Sequence, residues 1–347
     1  MKKQVYPAIL SALVLAAGFC APSAAQAKPL YRLVQSVPLG GGIKWDYLHF
    51  DAPSGRVYIS HGTELTVVSA KTGAIIGHVT GLNGSHGVAI DTAAGLGFAD
   101  SGKSQSISIF DLKTLVVSKT IPALEDADGM VFDAPSNQVL TVGGDANAVL
   151  AVDAGSDAVR AAVALGGSPE SMVSDQAGTA YININDKNEL VRVDTKTDTI
   201  TARWQLPGCE GPTGLAIDTA NHVLFSSCAN AVMSVVNGET GAILATLPIG
   251  KGTDSADFDP ARKLAFSANR DGTLSVIQEV SPETFNALPP VQTALGARTL
   301  AVDTSNGRIF LVTAKVVSAG PPKHPGGAPS YVFAPGSVKL LVYAPAS

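Results

Sequence analysis

The sequence is poor in the residues that carry most covalent and metal chemistry. It has 3 cysteines and 6 histidines in 347 residues, with no C-x-x-C-H, no H-E-x-x-H and no Cys/His cluster. These absences exclude covalent c-type haem and structural zinc of the finger type. No P-loop or G-x-G-x-x-G sits ahead of a helix, no G-x-S-x-G elbow occurs, and no Ser-His-Asp set can be placed on one face. Charge is also scarce. Only 15% of residues are charged and the balance is −5, which disfavours nucleic acid, whose phosphates need a basic surface. A disordered chain is excluded by the 46% hydrophobic content, collagen by the lack of a Gly-X-Y period, and a coiled coil by the lack of heptads. What is abundant is glycine (35) and proline (21), scattered at regular distances, the mark of many short strands joined by turns.

The one long apolar run, Ala8 to Phe19, is too short for a comfortable membrane span and follows Lys2 and Lys3. Ala25-Gln26-Ala27 is an A-x-A cleavage site, so residues 1–27 read as a secretory signal peptide and residues 28–347 as the exported domain. A lipoprotein reading would use Cys20, but Phe19 stands where a small residue is wanted. Cleavage removes two lysines and no acid, which takes the formal charge to −7. It also leaves Cys209 and Cys228, which in an oxidising compartment favour a disulfide; two buried thiols are the other reading. The expected location is periplasmic or secreted, with no transmembrane anchor, and the chain is expected to be monomeric.

One pattern recurs seven times: apolar, any, apolar, then Asp (once Met-Val-Ser-Asp, once Ala-Asp-Phe-Asp), a polar turn, and another apolar run. The anchors are Asp51, Asp91, Asp133, Asp175, Asp218, Asp259 and Asp303, spaced by 40, 42, 42, 43, 41 and 44 residues. Each unit holds four strand-like runs. In the fourth they are Glu170–Ser174, Ala180–Ile184, Leu190–Asp194 and Thr199–Gln205. Four antiparallel strands in 40–45 residues is the blade period of a β-propeller, so the fold is all-β and seven-bladed. Tyr31–Val37 reads as an outermost strand with no preceding partners, and the last unit stops after three strands (the third Val338–Tyr343). The N-terminal strand is therefore expected to close the last blade, removing a sheet edge. That blade carries a Pro/Gly-rich insertion, residues 316–337, whose stretch 320–327 is expected not to be regular sheet, because proline lacks the donor, but an ordered flap or a floppy loop.

The best-formed unit is Ala180-Tyr181-Ile182-Asn183-Ile184-Asn185, then Leu190-Val191-Arg192-Val193-Asp194-Thr195, then Thr199-Ile200. It resembles the YVTN-type propeller repeat, and the whole mature chain, with its Pro-rich insertion before a final strand, is similar to the YncE family of periplasmic propeller proteins. The resemblance implies a seven-bladed exported propeller and no agreed chemistry.

Register sorts the polar residues. The anchor Asp residues end the innermost strands and are expected to cap turn donors, as are Asp111, Asp153, Asp194 and Asn237 between the outer strands. Five residues before each anchor stand Asp46, His86, Asp128, Glu170, Thr213, Asp254 and Arg298, which the propeller places around one mouth of the central channel. The following position is mostly small (Gly87, Gly129, Ser171, Gly214, Ser255), which is expected to leave the channel open. Ten residues after each anchor, a second set includes His61, Asn185, Cys228 and Asn269 on the same face. Trp45 is either a stacking surface at the mouth or a core residue. These residues read as either a solvated rim or a ligand site.

Three functional readings follow. The leading one is an exported binding or scaffold protein that holds an envelope protein or a small ligand at the mouth. The second is a metal-dependent hydrolase or lactonase with a cation at Asp46, Asp128, Glu170 and Asp254, aided by His86, where a hard divalent ion such as calcium would suit the oxygens. The third is a structural cell-surface protein. No other cofactor is expected.

Overall fold

A computed structural model describes residues 1–4, 29–322 and 327–346. Most of the segment read as an export signal, with Cys20, lies outside the described residues. Seven four-stranded antiparallel sheets form a ring, and no α-helix occurs among the described residues. The innermost strands are Leu48–Asp51, Val88–Asp91, Ala127–Asp133, Pro169–Ser174, Pro212–Asp218, Thr253–Asp259 and Leu300–Asp303. We number the blades 1 to 7 in that order.

Burial peaks in the second strand of the blade and is lowest in the outermost. In blade 4 the second strand, Thr179–Ile184, is buried at every residue, whereas the outermost, Thr199–Gln205, alternates exposed and half-buried positions. Seven apolar clusters fill the seven wedges between neighbouring blades. One joins blade 1 to blade 7 through Val57, Ile59, Phe310 and Val312, so the ring is closed by packing as well as by hydrogen bonds. Each fully buried Phe, Leu or Ile in these wedges contributes about 1.5–3 kcal/mol.

Blade 7 is completed by the N-terminal strand Tyr31–Pro38, which pairs antiparallel with Lys339–Pro345 from Tyr31 opposite Pro345 to Pro38 opposite Lys339. The anchors behave as the register predicts. The Asp175 carboxylate accepts from the amides of Ala177 and Thr179, that of Asp218 from Ala220, and that of Asp259 from Ala261 and Arg262. Several also tie blades together, as where Thr92 donates to Asp51 and Ser174 to Asp133. The outer turns at Asp111, Asp153, Asp194 and Asn237 close by the same device.

The insertion corrects one expectation. Residues 316–322 and 329–333 pair as a two-stranded antiparallel hairpin; Lys323 to Gly326 lie outside the described residues. Proline is accommodated because the ladder shifts register between Gly320 and Pro322 and the hairpin pairs with no third strand, so missing donors cost nothing.

Candidate functional site

In blades 3 to 6 the ring residue is the second of its inner strand, and in blades 1, 2 and 7 it stands two positions ahead of that strand, at the end of the loop from the preceding blade. Six of the seven expected ring residues converge there electrostatically. Arg298 of blade 7 bridges its neighbours: Nε bonds the Asp254 carboxylate of blade 6, and Nη2 lies 3.5 Å from Asp46 of blade 1 and 3.3 Å from the Trp45 carbonyl. Burial alone would lower the Arg298 guanidinium, but Asp254 and Asp46 outweigh it and hold it above its ordinary value. His86 Nδ1 of blade 2 is 3.7 Å from Asp128 Oδ1 of blade 3. Thr213 is different, since its hydroxyl faces the carbonyls of Ser227 and Thr253 at 3.3 and 3.2 Å and staples two blades.

The carboxylates outnumber the cations, and their proton affinities reflect it. Burial, then Asp254 and Asp46, pushes Glu170 up to about 7. Burial raises Asp46 to about 6, with Arg298 opposing and Asp254 adding to the rise. Asp128 is held well above the usual carboxylate range by burial and by Asp46, Glu170, Asp100 and Asp254.

Three mouth residues were not singled out from the sequence. Arg270, adjoining Asn269, has its guanidinium lowered by burial and by Arg298 while Asp254 and Asp46 oppose that shift, which places it among the ring charges. Tyr47 is the bulky exception at the position after the ring. Burial and the carboxylates Asp128, Asp254, Glu170 and Asp46 drive its phenol well above the usual range. It lies between the mouth and a channel cavity of about 220 Å³ lined also by His49, Met130, Met172, Ile217 and Asp257. The third is Asp100. Register places it one residue before Ser101, where the other blades carry Ser60, Val142, Ile184, Ser227, Ala268 and Val312. A lone carboxylate at an otherwise small or apolar position was the available signal. Asp100 is fully buried, and its Oδ1 accepts from the amides of His86 (2.7 Å) and Gly87 (3.0 Å). Gly97–Ser104 has the residue spacing of a phosphate-binding loop, but the chain passes through a three-residue 3-10 turn into strand Ser106–Asp111, with no helix to follow.

The small residues after the ring have a reason other than channel width. A Cβ on Gly214 would stand 2.5 Å from the Ser255 carbonyl carbon, and one on Gly87 would stand 2.7 Å from the Asp128 oxygen. At Gly87 and Gly214 the close approach of adjacent inner strands excludes a Cβ.

The second set is largely used up inside the blades. His61 is 5% exposed, with Nε2 2.7 Å from the Gly42 carbonyl and Nδ1 3.2 Å from the Thr66 hydroxyl. Asn269 is fully buried, donating to Thr273 and Ser275 and accepting from Ser267. Asn185 remains half-buried on a groove of about 440 Å³ shared with Glu210, Asn230, Arg270 and Ser330. Trp45 is a core residue, buried edge-on against Phe333 at 4.9 Å between ring centroids. Through Phe333, Ala328 and Ser330 the insertion hairpin stands over this mouth. Cys209 and Cys228 form a disulfide on the same face.

The four carboxylates of the expected cation set share the mouth with Arg298, which pairs with Asp254 and Asp46. Among the described residues, the group that brings three ligand atoms within 4.8 Å of one another is His86, Asp100 and Asp128.

No family model matches the chain, and no curated protein matches it. Solved structures do. A chain of Kuenenia stuttgartiensis hydrazine synthase is similar with a TM-score of 0.67 at 12% identity, over 85% of this chain and 96% of that one. The U3-55K structure matches with a TM-score of 0.72 at 10% identity, over 91% of this chain and 99% of that one. The WD40 repeats of RRP9 match with a TM-score of 0.73 at 10% identity, over 90% and 96% respectively. At these identities the likeness shows the propeller fold alone.

Proposed function

We propose that the chain is an exported binding protein whose hairpin-flanked mouth holds the cationic segment of a ligand or envelope partner. One observation carries this reading. Asp46, Asp128, Glu170 and Asp254 converge on one opening over buried Asp100, and the ring itself offers only Arg298, Arg270 and His86 in return. Lys44 and Lys103 line one side of the mouth, so its five carboxylates exceed its four fixed cations by one. Carboxylates so placed repel one another, and a positively charged guest relieves the repulsion. The rigid ring positions the loops and hairpin that would select the guest. Export is supported by the leader-like composition of residues 1–27 and by the Cys209–Cys228 disulfide, which belongs to an oxidising compartment. Similarity to YVTN-type repeats in blade 4 points the same way.

Fluorescence anisotropy of labelled tetralysine and tetraglutamate peptides, in buffer with a chelator, tests the reading. Tetralysine binds, salt weakens it, and Glu170→Gln weakens it several-fold. Equal binding of both peptides, or none of tetralysine, removes the reading.

A further inference from the structure

The mouth contains three buried polar atoms with no hydrogen-bond partner: His86 Nδ1, Asp100 Oδ2 and Asp128 Oδ1. They belong to the three residues whose ligand atoms cluster within 4.8 Å. We propose that His86, Asp100 and Asp128 form a binding site for a divalent transition-metal ion of the zinc type, set in the wall of the mouth between blades 2 and 3. The site shares His86 and Asp128 with the acidic ring and differs from it in Asp100, which is fully buried beneath the rim.

Asp100 carries a carboxylate that its hydrogen bonds do not require. Its Oδ1 fixes the amides of His86 and Gly87, a task that asparagine or serine would perform without burying a charge. Its Oδ2 is left with nothing, in a residue of zero exposure. Among the described residues no Lys or Arg forms an ion pair with Asp100 or Asp128; the one basic group near Asp128 is His86. An unpaired buried carboxylate is costly and takes up a proton, a counter-ion or a metal; the imidazole and second carboxylate clustered with Asp100 favour the metal.

The donor set selects the ion. One imidazole nitrogen and two carboxylate oxygens suit a borderline ion such as zinc at about 2.0–2.2 Å. Calcium asks for six to eight oxygens, which three residues including a histidine do not supply. Three protein donors also leave one position of a tetrahedron free. His86 also lines a pocket of about 230 Å³ at the mouth.

Isothermal titration of untagged, chelator-treated protein with zinc, and separately with calcium, tests the proposal. Zinc binds with one ion per chain and more tightly than calcium. Asp100→Asn, which keeps the acceptor for both amides, weakens zinc by more than about 100-fold. Glu170→Gln, at the same mouth but outside the triad, changes zinc affinity far less than Asp100→Asn does while weakening the lysine peptide, so the two readings fail separately. His86→Gln serves if Asp100→Asn does not fold. Absence of saturable 1:1 zinc binding, preference for calcium, undiminished affinity in the triad variant that folds, or equal loss in Glu170→Gln each overturns the site.

Discussion

The Arg298 guanidinium lies 3.5 Å from the Asp46 carboxylate, 252 positions away in the sequence. This contact joins the last inner strand to the first and, through Asp254, fixes three consecutive blades at the rim.

Arg298→Ala leaves Asp254 and Asp46 facing the remaining carboxylates with little compensation. The expected loss is on the order of 2 kcal/mol at pH 8, below the cost of breaking a fully buried pair because each side chain is a fifth exposed. Urea denaturation at pH 8 and pH 5 checks this. The deficit shrinks at pH 5, where Asp46, raised to about 6, takes up a proton. An equal deficit at both pH values contradicts the electrostatic account.

Stability falls as pH rises from about 4.5 to about 7. In this window Glu170 keeps its proton in the folded ring, where it titrates near 7, while the unfolded chain releases it near 4.5. Asp257, raised to about 6 by burial in the channel, acts in the same sense. The turn carboxylates Asp111, Asp153 and Asp194 act oppositely. They are lowered by their turn hydrogen bonds, and their contribution is lost as pH falls below about 4. Denaturation across pH 3–9 should therefore show greatest stability on the mildly acidic side. Glu170→Gln should reduce the fall toward neutrality by on the order of 2 kcal/mol.

The Cys209–Cys228 bond closes a separation of 19 residues. In the chain-entropy account that contributes about 3 kcal/mol, and Cys209→Ser with Cys228→Ser should lose it. In protein lacking residues 1–27, and so Cys20, a thiol reagent should find no free thiol after unfolding without reductant, and because Cys209 and Cys228 are buried it should find little reduction in the native state. Free thiol in the unfolded sample refutes the bridge.

Two glycines on equivalent strands should respond differently to the same change. Gly214→Ala drives a Cβ to 2.5 Å from backbone and should cost about 1–3 kcal/mol. Gly129→Ala meets its nearest neighbour at 3.3 Å and should cost under about 1 kcal/mol. Matched thermal melts of the two variants decide it.

The ring was legible because it is written seven times. An Asp every 40–44 residues, with turns and alternation in step, admits one closed solution, and register then picks the rim residues. Positions that break the repeat were harder. Asp100 lies where six other blades are small or apolar, and Tyr47 where five are small; their roles depend on side-chain reach across the channel, which a linear pattern does not encode. His61, Asn269 and Trp45 share the register of the mouth face, yet local hydrogen bonds and Phe333 draw them inward. Arg298 pairing with two carboxylates likewise depends on a long side chain choosing among neighbours.

The pairing of Tyr31–Pro38 with Lys339–Pro345 makes the earliest strand wait for the latest. A chain emerging from its N-terminus can build blades 1 to 6 in sequence, but the first strand has no place until residue 345 exists. Throughout synthesis Tyr31–Pro38 is an unpaired edge able to adhere to the wrong sheet, and the circle locks in one late step. A C-terminal deletion beginning at Lys339 should therefore forfeit the whole closure rather than one strand, visible as early protease cleavage within the first forty residues.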